Sequence, residues 1–93
     1  MMGTAKATVL IENDKVIVTE WRMEPGSNTG WHRHGHDYVV LPLMDGKVKI
    51  ETKDGTNFAD NRQGVPYFRN EGVEHDVINT EQREYAFIEI ELK

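Results

Sequence analysis

No stretch of this chain repeats its apolar residues with a helical period. Short runs of alternating apolar and polar side chains take its place, separated by Gly, Asn, Asp and Pro, and that pattern restricts the chain to β-structure. Lys6 to Ile11 alternates, Glu12-Asn13-Asp14-Lys15 turns, and Val16 to Met23 returns as a second strand rich in β-branched residues. Pro25-Gly26 stops it, because proline cannot donate to a ladder and glycine accepts positive φ. Residues 27–30 are loop, and Trp31 to His36 is a strand in which Gly35 marks a bend. Tyr38 to Met44 is nearly all apolar. Asp45-Gly46 after it reads as a hairpin turn, with Lys47 to Thr52 as the partner strand. Lys53-Asp54-Gly55-Thr56 is a second turn of that kind, and Asn57 to Arg62 fits no period cleanly. Val65 to Phe68 is a short strand that Pro66 places near an edge or a strand start. Glu74 to Ile78 is another strand. In Tyr85 to Leu92, Ala86, Ile88, Ile90 and Leu92 share one face and Tyr85, Phe87, Glu89 and Glu91 the other. Many short strands without helices must close into a β-sandwich or barrel.

Ninety-three residues make one domain, 1–93, with its strands between about 6 and 92. A domain of this size buries a modest core, so oligomerisation is expected. A net charge of −5 argues against nucleic acid, whose phosphates such a surface repels. No apolar run is long enough to span a bilayer, and MMGTAKATVL lacks the shape of a signal peptide. The chain has no cysteine, so disulfides and thiolate ligands are excluded and any metal site must use imidazole and oxygen. The same lack suits a cytoplasmic location.

Three of the four histidines fall at alternating positions, His32, His34 and His36. On a strand His32 and His34 face the same way, their Cα atoms roughly 6.5–7 Å apart. Two imidazoles at that spacing can reach one ion, and a third ligand must come from elsewhere. His75 is the only other histidine.

With these residues in place, the chain resembles the cupin superfamily. That family's first motif runs glycine, five residues, His-x-His, three or four residues, a glutamate, six residues and a glycine. Here Gly26, His32, His34 and Gly46 fit it. The second motif runs glycine, five residues, Pro-x-Gly-x-x-His, three residues and asparagine. Gly64, Gly72, His75 and Asn79 fit that one. Two positions depart: Asn70 replaces the proline, and the glutamate would fall on Tyr38 or Val39, neither a carboxylate. The string GWHRHGHDYVV further resembles a group of small single-domain cupins, some linked to degradation of β-alanine and similar compounds.

The resemblance implies an all-β jelly-roll barrel, the double-stranded β-helix. It also implies one divalent transition metal ion (Zn, Fe, Mn, Ni or Cu) on His32, His34 and His75. Beside these, His36 and Tyr38 are candidate additional ligands or pocket residues, and Asp37 could supply the missing carboxylate if the strand slips by one residue. Arg33 and Arg69 could bind a substrate carboxylate, or simply be solvated. The expected function is a metal-assisted reaction on a small polar metabolite inside the barrel: oxygenation, isomerisation or decarboxylation. The alternatives are a non-catalytic small-molecule or metal-binding module and a metal-free isomerase with histidine as general base. Tyr38 to Leu43, apolar on both faces, predicts a homodimer that covers the outer one, and Pro42 predicts a strand near a sheet edge.

Overall fold

The structure, a computed structural model, describes residues 4–93. Residues 1–3 lie outside the described residues, and with them the start of the MMGTAKATVL stretch and of the 1–93 domain. Nine strands make up the described part: β1 Lys6–Glu12, β2 Val16–Met23, β3 His32–Arg33, β4 Asp37–Pro42, β5 Gly46–Thr52, β6 Gly55–Asn61, β7 Tyr67–Arg69, β8 Glu74–Asn79 and β9 Tyr85–Leu92. They form two antiparallel sheets, β1-β2-β9-β4-β7 and β3-β8-β5-β6, the two walls of the expected jelly roll.

The inward parity of each strand builds the core. Rows run straight across the larger sheet: Pro42, Phe87 and Trp21 in one, Tyr67, Val40, Glu89 and Thr19 in the next, Arg69, Tyr38 and Glu91 in a third. Tyr38, Val40, Tyr85, Phe87 and Met23 meet Val48 of the facing sheet in the buried cluster. The Trp21 ring stacks on Phe87 with centroids 6.5 Å apart. In β9 it is therefore the face carrying two glutamates that looks inward, because Tyr85 and Phe87 share it.

One expectation is corrected. Asp45-Gly46 is not a hairpin turn: β4 pairs with β9 and β7, whereas β5 pairs with β6 and β8, so the chain crosses between sheets there. Gly46 serves a different need. A Cβ on it would lie 2.5 Å from Cδ1 of the buried Tyr85 ring, so only glycine lets β5 pass that ring. The strand near a sheet edge that Pro42 predicts is found: β4 lies next to the edge strand β7, and Pro42 is tolerated because it is the last residue of β4, beyond the reach of β7, whose pairing ends at Val40. Of the ambiguous stretch 57–62, residues 57–61 belong to β6, the edge of the smaller sheet, joined to β5 by a hairpin with Gly55 at φ 128°. The two motifs meet in space: Gly26 N–H donates to the Asn79 carbonyl at 3.1 Å, and Asn79 N–H to Ser27 at 3.0 Å.

Candidate metal centre

The histidine strand is much shorter than its sequence suggests. β3 covers only His32 and Arg33, where His32 stands directly opposite His75 of β8. His34 lies beyond the strand and is held by the turn before β8: its N–H donates to Val73 at 2.9 Å, and its carbonyl accepts from Gly72 N–H at 2.8 Å. Gly72, at φ 94°, takes the left-handed conformation this clasp requires.

Three imidazoles thus come together from two strands and a loop. Nε2 of His34 lies 2.9 Å from Nε2 of His32 and 3.1 Å from Nε2 of His75. His32 uses Nδ1 to donate to the Gly30 carbonyl at 2.7 Å, which leaves the lone pair on Nε2 turned toward its neighbours. Gly30 is fixed in turn by Asp76, which accepts its N–H at 3.0 Å. Burial pushes His34 down to about 3, with the neighbouring His32 and His75 adding to it. It pushes His75 down to about 4, with His32 and Arg69 contributing. Both are neutral at physiological pH, the form in which imidazole binds metal. Donor nitrogens on one ion with bonds of about 2.1 Å sit about 3.0 Å apart at a right angle and about 3.4 Å apart at the tetrahedral angle. The three side chains fit a metal ion, and one shared proton cannot satisfy three converging lone pairs.

The fate of the other candidates is clear. Tyr38 lays its ring flat on His34, centroids 3.9 Å apart, and lines the adjoining cavity; its buried hydroxyl has no hydrogen-bond partner. Burial, with Glu89 nearby, raises its pKa, so it is a neutral phenol. Asp37 is exposed at the start of β4 and accepts the Glu71 N–H at 2.7 Å, a turn contact rather than a ligand position. His36 is half-buried and is not brought into the cluster, because the chain bends at Gly35 and strand parity no longer applies.

The sequence reading missed the two acids behind His34. Its Nδ1 lies 4.0 Å from Glu89 and 3.9 Å from Glu91. These distances are too long for direct hydrogen bonds, and with His34 neutral they are not ion pairs. Burial, with Glu91 nearby, pushes the Glu89 carboxyl up to about 7. The available signal was the alternation of β9, which put both glutamates on the aromatic face.

His75 belongs both to the cluster and to the wall of a cavity of about 330 Å³ inside the barrel. Its surface is largely apolar, from Val40, Ile50, Val77 and Phe87, with Arg69, Tyr67 and Glu89 among the polar groups.

A curated protein of Pseudomonas aeruginosa, named β-alanine degradation protein BauB, is 54% identical over 95 aligned positions, covering all of both chains. A crystal structure of a cupin domain from Bordetella pertussis superimposes with a TM-score of 0.98 at 49% identity, covering 100% of this chain and 97% of that one. The chain belongs to the cupin superfamily. A double-stranded β-helix protein of Klebsiella pneumoniae shares the fold of this cupin at 18% identity, with a TM-score of 0.78 over 95% of this chain and 76% of the other. No family model matches the chain. Among the described residues no helix is long and apolar enough to cross a membrane.

Proposed function

We propose that this cupin binds one divalent transition metal ion through His32, His34 and His75 and uses it in a reaction on a small polar metabolite held in the barrel. The observation that carries the proposal is the convergence of three Nε2 atoms beside a cavity that shares His75 with them. When bound, such an ion would polarise a substrate oxygen or activate a bound ligand. The chain's own groups do the rest. The Gly30 carbonyl fixes the His32 ring, Tyr38 buttresses His34, and the apolar wall excludes water. The name of the Pseudomonas relative makes β-alanine and related small compounds the first to assay. Metal analysis of untagged protein, followed by turnover with and without chelator, tests the proposal. Stoichiometric metal with chelator-sensitive turnover is expected; protein that takes up no divalent ion after dialysis against each metal refutes it.

A second reading, a non-catalytic binding module, is favoured by the lack of a carboxylate at Tyr38 and Val39, the two positions where the family's glutamate would fall. Metal uptake without turnover across small carboxylates would support it.

We also propose a homodimer in the cytoplasm. Val39 and Leu41 occupy the outer face of β4. There Ile11, Val18, Ile90, Val39 and Phe68 form one apolar row across all five strands, with Ile11 and Phe68 about half exposed at its ends. A monomer by light scattering at micromolar concentration would exclude the dimer.

A further inference from the structure

An unused cation stands at the exposed rim of the cavity. Arg69 of β7 stands opposite Tyr38 of β4, on the inner side of the sheet, and is the only lysine or arginine that lines the cavity. Its guanidinium lies 4.5 Å from the centroid of Tyr67, and Nη1 donates to the Phe68 carbonyl at 3.1 Å. Arg22, Arg33 and Arg62 each pair with a carboxylate, whereas Arg69 forms no ion pair among the described residues. Stacking on Tyr67 holds the planar fork in place without consuming its remaining donors. Beside it, the Tyr38 hydroxyl is buried and unpartnered. The nearest acids of the same sheet, Glu89 and Glu91, are on β9, roughly 10 Å of sheet away across β4.

From this we infer that Arg69 is the anchor for the carboxylate of a small ligand, so that the cavity takes monocarboxylates with a short apolar body. The carboxylate accepts from the guanidinium at the β7 end, the carbon chain lies along Val40, Val77 and Phe87, and the far end reaches toward His75. This rests on the proposed function in placing the ligand's other end at the histidines, but the anchor itself needs no metal.

The test titrates propanoate and its neutral isostere propanamide into wild-type, Arg69→Gln and Arg69→Lys protein by calorimetry, both metal-free and after loading with nickel. Wild type is expected to prefer propanoate at least tenfold in both states. Arg69→Gln should lose that preference while its nickel uptake and melting temperature stay unchanged, and Arg69→Lys should keep part of it. Equal preference in Arg69→Gln and wild type overturns the inference, as does a wild type with no preference. A preference seen only with nickel and retained in Arg69→Gln also overturns it, placing the carboxylate on the ion and leaving the metal reading intact. Failure of wild type to take up nickel or any other divalent ion counts against the metal reading alone, because the metal-free titration still reports on Arg69.

Discussion

Acid titration of the metal-free protein separates a neutral histidine cluster from a charged one. His34 and His75 fall from 6.5 to about 3 and about 4 on folding, while Glu89 rises from 4.5 to about 7. The signs oppose. A lowered histidine pKa means the unfolded chain binds the extra proton, so the stability these imidazoles give is present above pH 6.5 and lost as pH falls below it. A raised carboxyl pKa means the folded chain holds the extra proton, so the Glu89 contribution is present below pH 4.5 and lost as pH rises through 7. Near pH 5.5 the unfolded chain carries roughly two more protons on the histidines and one fewer on Glu89. The net difference of about one proton makes stability rise with pH by ~1.4 kcal/mol per unit. Glu89→Gln removes the opposing proton and should about double that slope. Urea unfolding of chelator-treated protein between about pH 5 and 6, at fixed protein concentration, measures both. A flat or falling wild-type profile would mean that the buried imidazoles carry charge in the folded state, and the argument that their lone pairs are free for an ion would fail.

Two further substitutions test the frame that holds the site. Gly46→Ala forces a Cβ to 2.5 and 2.9 Å from the Tyr85 ring, which cannot swing away because Asn61 Nδ2 donates to its hydroxyl at 2.8 Å. The cost should be about 1–3 kcal/mol, and a wild-type melting curve by circular dichroism would contradict it. Asn79→Ala strips donors from the Met23 and Arg83 carbonyls, held at 3.0 and 2.9 Å, and removes the acceptor of Glu81 N–H. About 2–3 kcal/mol should be lost, read as a lower urea midpoint; an unchanged midpoint would show that water replaces these contacts freely.

Much of this was legible in the chain. β9 runs over the residues its alternation marks, because a strand with one face buried declares its parity, and β2 over those its β-branched run marks. The same parity correctly joined His32 to His34, although the structure reaches that result by another route: strand pairing sets His32 against His75, and the Gly72 clasp sets His34. Where the logic was purely local it failed. Asp45-Gly46 has hairpin chemistry, but Gly46 answers to Tyr85, thirty-nine positions away, a constraint no local window contains. His36 shared the parity of the other two until the bend at Gly35 ended it. The acids at 89 and 91 were placed on the right face without being read as part of the site, since only the approach of β9 to β4 brings them behind His34.

That approach bears on the residue that departs most from the family pattern. Tyr38 stands at the position of the family's carboxylate ligand, and a neutral phenol stacked on His34 brings no charge to an ion. The carboxylates of this site lie instead on the far side of the His34 ring, facing Nδ1 while Nε2 faces the other two histidines. From there they can orient the imidazole and raise its basicity, but they stand on the opposite side of the ring from an ion held by Nε2. An ion on three neutral imidazoles would keep its full charge toward the cavity. Arg69 adds a second positive charge to the same cavity, with no acid paired to it. Both features point the same way: with Tyr38 in place of the family's glutamate, the positive charge of the site is left for an anionic group that arrives with the ligand rather than with the protein.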